Sequence, residues 1–337
     1  MMAQHDFDVF GTAFAPGQPE RDPLPLVAEF ARRAERYGMD GLLAFYNHHD
    51  LEPWTTAATI LQHTKALTPL TAVQPYTMPP ATAAKLIYSL ATLHHRRIDL
   101  NLITGATPYE LEQVDDQLSH DERYERATEY MTVVRALLSS DEPVVHEGRF
   151  YRYRALCMFA RLEPELQPRV FVAGSSAAGR QMAAAVADVA ITHPEPVEQF
   201  ADTFLGPGRE GLQIGIRIGL VARPTDDEAW SAARALYPDD RRARLKTAMR
   251  KQSPSDWNRR LAQLATDDGR YDEVYWTGAF RSDKGNMPLL VGSYRKVADY
   301  LERYLLLGVS TVILAGMFAE EDFQHAAVVL ADLRSRE

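Results

Sequence analysis

Short apolar runs rich in β-branched residues alternate along the chain with longer stretches in which apolar positions return every three or four residues. The first kind predicts strands, and eight are found, at 7–13, 41–45, 70–75, 98–104, 169–174, 188–192, 213–221 and 311–315. The second predicts helices, among them 23–37, 53–67, 80–95, 121–138, 177–187, 226–236 and 293–307. Eight strands with helices between them specify a (β/α)8 TIM barrel read as one domain over 1–337, with its chemistry at the C-terminal ends of the strands. Two stretches exceed a minimal βα unit: 139–168, rich in Pro, Arg and aromatics, and 237–292, with helices of its own. Both read as insertions at the C-terminal rim, placed to cover a site.

Charge narrows the partners. The 337 residues hold 37 Lys+Arg against 46 Asp+Glu, a formal net charge of -9, and the densest basic run is Arg241-Arg242-Ala243-Arg244. That is no footprint for a phosphate backbone, so no nucleic-acid partner is expected. No apolar run approaches the ~18 residues of a membrane span, and no basic segment followed by an apolar one opens the chain, so the expected place is the cytoplasm, away from any membrane. A single cysteine, Cys157, excludes an internal disulfide and a thiolate metal cluster.

Gly206-Pro-Gly-Arg-Glu-Gly211 satisfies the dinucleotide-binding pattern G-x-G-x-x-G, but it follows a helical segment and leads into a strand, the reverse of the required context. A better phosphate candidate is Gly174-Ser175-Ser176, where an apolar strand ends and a helix begins. A helix start offers unpaired N–H groups and a partial positive charge, and the serines either cap that helix or meet a phosphate. Ser119-His-Asp-Glu-Arg-Tyr124 is a capping box that sets His120 and Tyr124 four residues apart on one helical face. Asn101 projects opposite to Leu100 and Leu102 near the end of its strand, where a buried amide needs partners.

In Gln213-Ile-Gly-Ile-Arg-Ile-Gly-Leu220 one face is Ile214, Ile216, Ile218 and Leu220 and the other Gln213, Gly215, Arg217 and Gly219. The apolar face packs under helices, which turns Arg217 inward with glycines on either side to leave room. A guanidinium there meets either an acidic side chain or an anionic group of substrate or cofactor. His48-His49-Asp50 follows the second strand and His193 the sixth; these imidazoles are acid/base candidates, while their spacing supports no metal site.

Asn101-Leu-Ile-Thr-Gly105, the His120/Tyr124 box, Gly174-Ser-Ser176, Ile214-Gly-Ile-Arg217, Thr192-His-Pro-Glu-Pro196, Tyr275-Trp-Thr-Gly278 and Leu290-Val-Gly292 together resemble, in order and spacing, the luciferase-like flavin monooxygenases, in particular the alkanesulfonate monooxygenase branch. The resemblance implies FMN, used as FMNH2 supplied by a separate NAD(P)H-dependent flavin reductase, with O2 giving one oxygen atom to a small organic substrate. It assigns FMN contacts to Asn101, Thr104, His120, Tyr124, Gly174, Ser175 and Ser176, with Arg217, His48, His49 and His193 as catalytic candidates and Asp50, Gln74, Arg281 and Lys284 on the substrate side. A homodimer or homotetramer is the expected assembly.

The substrate side departs from that branch. Asp50 stands where relatives carry cysteine, Gly219 where they carry histidine, Met317 where they carry tyrosine, and Asp283 at the position of a loop arginine. Sulfonate recognition needs convergent donors, so a neutral, zwitterionic or amine-bearing substrate is expected instead. A coenzyme F420-dependent oxidoreductase on the same barrel and a non-catalytic flavin-binding protein are the competing readings.

Overall fold

The computed structural model describes residues 6–13, 22–105, 108–158, 160–174, 176–204, 211–238, 240–253 and 255–336. Its strands are β1 (Asp8–Thr12), β2 (Gly41–Ala44), β3 (Thr68–Val73), β4 (Asp99–Leu102), β5 (Val144–Glu147), β6 (Arg152–Leu156), β7 (Val170–Ala173), β8 (Val189–Thr192), β9 (Gln213–Arg223), β10 (Arg270–Tyr271), β11 (Tyr275–Trp276), β12 (Leu289–Ser293) and β13 (Val309–Ala315). The strand order β1-β2-β3-β4-β7-β8-β9, with β9 beside β13 and β13 beside β1, is that of a (β/α)8 barrel. All eight predicted strands are among these, within two residues at every end, because strands buried on both faces read as short apolar runs between turn residues.

Contacts group the chain into two compact units: Gln18–Arg32 with Asp40–Ala190, and Met1–Gly17 with Arg33–Met39 and Ile191–Glu337. In the first, β2, β3, β4 and β7 run parallel in register, Leu43 beside Leu70 and Ala72 beside Asn101 beside Phe171. Its helices begin where local chemistry says they should. Pro53 and Pro80 open two of them, and Ser119 caps the helix His120–Ser139 in a complete capping box. At the N-terminal end of β4, fully buried Asp99 accepts from the Arg169 side chain at 2.9 and 3.0 Å and pairs with Arg97 at 2.8 Å. Burial raises its pKa while Arg169 and Arg97 oppose that, so this carboxylate is a structural tie between β4 and β7.

The predicted insertion 139–168 contains the antiparallel hairpin β5–β6. Glu129 clasps it, accepting from the backbone N–H groups of Phe150 and Tyr151 and from His146 Nε2 at 3.0 Å. Tyr151 also donates to the Pro75 carbonyl.

In the second unit β12, β9, β13 and β1 run parallel, and β11 and β10 continue antiparallel from β12. The predicted insertion 237–292 therefore ends in a strand, β12, that joins the sheet beside β9. The insertion also carries the helices Arg241–Arg250 and Asp256–Leu264. Helices Val197–Phe204, Asp226–Leu236, Tyr294–Leu306 and Glu320–Ser335 also belong to the unit. Gly308, at φ +94°, turns the chain from the helix Tyr294–Leu306 into β13 in a backbone region that favours glycine.

Candidate active site

The chemistry of the first unit gathers where β7 ends. Gly174 follows Ala173, and Ser176 caps the helix Ala177–Val186, its Oγ accepting from Gly179 N–H at 3.1 Å. A side chain at Gly174 would bring its Cβ to 3.0 Å from the Gly179 Cα and 3.4 Å from the Tyr124 hydroxyl. Two glycine backbones, a helix start and a phenol thus converge, and the turn stays open for an anion because no Cβ fills it. The capping role of Ser176 is realised, which still leaves its hydroxyl hydrogen to donate. Ser175 lies outside the described residues.

One turn before Tyr124, the His120 ring lies 4.9 Å from the Tyr124 ring, centroid to centroid, and its Nδ1 is 2.6 Å from Asp121 Oδ1. Nε2 is the nitrogen left for another partner.

Asn101 is half-buried on the face of β4 that also carries Asp99, while Leu100 and Leu102 are fully buried on the other. Its amide has no hydrogen-bond partner among the described residues. Thr104 is buried just past the end of the strand. Gln74, buried just past β3, has an unpartnered Nε2. In the turn after β2, His48 Nδ1 sits 3.3 Å from Gln113 Oε1, while its Nε2 is buried without a partner. His49 is exposed. Asp50 has one buried, unpartnered carboxylate oxygen, and burial raises its pKa, with His49 pulling the other way. Unsatisfied buried groups are costly and rare, so this concentration of polar atoms is suited to a polar ligand.

In the second unit, Ile216 and Ile218 are fully buried on one face of β9, and Arg217 takes the other, in register with Ile313 and through it with Phe10. No acidic side chain pairs with Arg217 among the described residues, and its Nε lacks a partner. Burial lowers its pKa to about 10, so it remains a cation at neutral pH. Of the two partners open to it on sequence grounds, the internal ion pair is absent among the described residues. The room expected beside it at Gly219 is closed: a Cβ there would lie 2.5 Å from Leu289 Cδ2 and 3.0 Å from the Ala315 carbonyl oxygen.

His193 lies beside this arginine. Burial holds its pKa well below the usual imidazole range, the charges of Arg217 and Arg260 push the same way, and the Arg217 backbone carbonyl opposes them. Trp257, from the helix Asp256–Leu264, covers the imidazole at 4.4 Å between ring centroids and 33° between planes. The same helix sends Arg260 to Glu195 at 2.5 Å and to the Thr192 hydroxyl at 3.4 Å. Burial raises the Glu195 pKa and Arg260 opposes it. Tyr275 donates to the Pro194 carbonyl and Tyr304 to the Glu195 carbonyl. The loop after β8 is therefore held by phenols from β11 and from the helix Tyr294–Leu306.

The remaining substrate-side candidates lie elsewhere in this unit. Asp283 pairs with Lys246 and Arg250, Lys284 is exposed with its ammonium on the Leu236 carbonyl, and Arg281 is half-buried at the end of the short helix Gly278–Arg281. Met317 is buried. Sequence reasoning left out Trp257, Glu195 and Arg260. Glu195 lies inside the Thr192–Pro196 run already singled out, whereas Trp257 and Arg260 read as ordinary positions of an amphipathic helix until the fold sets them on His193.

Residues 6–311 match the family model for luciferase-like monooxygenases. The chain is 42% identical over 300 residues, 88% of each protein, to the 4-(γ-L-glutamylamino)butanoyl-[BtrI acyl-carrier protein] monooxygenase BtrO of Niallia circulans. Among solved structures it resembles the EDTA monooxygenase EmoA of Chelativorans sp. BNC1, with TM-score 0.79, 18% identity, and coverage of 98% of this chain and 94% of that one. It also resembles an F420-dependent secondary alcohol dehydrogenase, with TM-score 0.66, 18% identity, and coverage of 98% and 100%. The fold is common to these enzymes, and with the family model covering almost the whole chain, this protein belongs to the luciferase-like monooxygenase family and is an oxidoreductase.

Proposed function

We propose that this protein is the oxygenase component of a two-component system, taking FMNH2 from a separate NAD(P)H-dependent reductase and using O2 to insert one oxygen atom into a small acyl group held as a carrier-protein thioester. The observation that carries the flavin half is the convergence of Gly174, Gly179, the capped start of Ala177–Val186 and the Tyr124 hydroxyl, an opening that a single Cβ would fill. FMN ends in a phosphate dianion, and backbone N–H groups with neutral hydroxyls bind such an anion without burying a cation. His120 Nε2 and Ser176 belong to the same end. Asn101 and Thr104 provide polar groups for the edge of the ring.

Bound reduced flavin supplies the chemistry that activates O2. The chain's own residues position and exclude. Arg217 offers a fixed positive charge to an oxyanion or an anionic substrate group. His193, neutral at pH 7, accepts a proton there, and Trp257 shields it from water.

The carrier-thioester reading rests on the relative with 42% identity, whose substrate is a glutamylamino-butanoyl group, zwitterionic at its free end. That matches the substrate expected from the loss of sulfonate-binding donors. The motifs shared with the alkanesulfonate branch bear on the flavin and not on the substrate, so sulfite release from alkanesulfonates should be negligible.

Anaerobic titration tests the cofactor. FMNH2 should bind at least tenfold more tightly than oxidised FMN and then react with O2, while preference for reduced F420, the coenzyme of one structural relative, would overturn the reading.

A further inference from the structure

A chain of net charge -9 contains one eleven-residue stretch, 241–251, with Arg241, Arg242, Arg244, Lys246, Arg250 and Lys251 and no acid. It forms the helix Arg241–Arg250, and its helical period sorts the residues by role. Ala243 and Thr247 are buried on one face, with Thr247 donating to the Phe280 carbonyl. Lys246 and Arg250 reach across to Asp283 and hold the helix down. Leu245 and Met249, one turn apart, project on the opposite side at 64% and 76% exposure, flanked by exposed Arg242. Lys251 is exposed just past the helix, and among the described residues neither it nor Arg242 pairs with a carboxylate. An exposed apolar pair edged by cations suits a partner helix with the reverse pattern, apolar at its centre and acidic at its rim. The next helix of the same insertion is the one that brings Trp257 and Arg260 to His193.

We infer that the Arg242/Leu245/Met249 face, with Lys251 at the end of the helix, is the docking surface for an acidic carrier protein that delivers the acyl substrate. This rests on the carrier-thioester reading above. The test uses a fluorescently labelled, acidic holo acyl carrier protein and the variant Arg242→Glu/Leu245→Ser/Met249→Ser/Lys251→Glu, its fold checked by circular dichroism and by unchanged FMNH2 affinity. Wild type should bind the carrier with an affinity that falls steeply with salt, and the variant should bind at least tenfold more weakly, with a matching loss of kcat/KM for carrier-bound 4-(γ-L-glutamylamino)butanoyl and none for the same acyl group on pantetheine. Wild type binding the carrier with the variant equal to it would overturn the docking face and leave the carrier reading standing. No carrier binding by wild type would overturn both. Two other results would also overturn the proposal by assigning the face to a different occupant, provided carrier binding is unchanged in the variant: loss of co-sedimentation with phosphatidylserine vesicles, or a shift in oligomeric state by sedimentation.

Discussion

In the unit built on β2, β3, β4 and β7, charged side chains near the candidate residues are spent on structure: Asp99 on Arg97 and Arg169, Asp116 on Arg126, Glu129 on the β5–β6 hairpin. What the end of β7 offers a ligand is neutral, namely glycine backbone and serine and tyrosine hydroxyls, while after β2 Asp50 keeps one buried carboxylate oxygen without a partner. In the unit built on β9, β12 and β13, the candidate chemistry is a half-buried cation with no carboxylate paired to it among the described residues and an imidazole held neutral by desolvation. The difference has an energetic meaning. Neutral donors at a helix start cost little when no anion is present, whereas an unpaired guanidinium away from water destabilises the fold until something negative arrives. The first arrangement suits a permanent binding function, and the second suits a group that acts on charge appearing during reaction.

The sharpest way to break this comparison is at Arg217. Arg217→Met should lower turnover by on the order of 100-fold or more, in the range for removing a preorganised electrostatic donor, while thermal unfolding shows equal or higher stability. A large loss of stability would mean the arginine is structural. Arg217→Lys should also lose activity, since the planar fork goes even though the charge stays.

Next in size is the phosphate end. Gly174→Ala puts a Cβ against Gly179 and Tyr124, and Tyr124→Phe removes a hydroxyl whose bond to a dianion contributes about 1.5–3 kcal/mol. Each should weaken FMNH2 binding roughly tenfold or more in anaerobic titration with little change in fold. Unchanged affinity in both would move the phosphate elsewhere.

A smaller effect sharpens the contrast through pH. Because the folded-state pKa of His193 is depressed, the unfolded chain takes up the proton first as pH falls below the ordinary value near 6.5. Stability attributable to this group is therefore complete above that pH and declines below it, by up to about 1.4 kcal/mol per pH unit. Chemical denaturation of wild type and His193→Asn across pH 5–8 should show a shallower acid slope in the variant; identical slopes would place the imidazole in water. The smallest expected change is Ser119→Ala, which removes the cap from the helix bearing His120 and Tyr124. It should cost about 1 kcal/mol of stability and shift FMNH2 affinity by less than the Tyr124 substitution does.

The sequence by itself determined the βα alternation, the helix starts at Ser119 and Ser176, and the placing of Arg217 on the face of β9 opposite Ile216 and Ile218, because these follow from periods of 2 and 3.6 residues and from caps that act within one turn. It also singled out Gly174 and Tyr124 separately. Only the tertiary structure brought the Tyr124 hydroxyl to 3.4 Å from where a Cβ on Gly174 would stand, paired Asp283 with Lys246 and Arg250, filled the space at Gly219 with Leu289, and laid Trp257 and Arg260 of one helix on His193 and Glu195 of a distant loop. Those outcomes join residues 33 to 70 positions apart. Side-chain type alone carries no signal for them, since a basic residue on an amphipathic helix looks the same whether it ends in water or against a buried carboxylate.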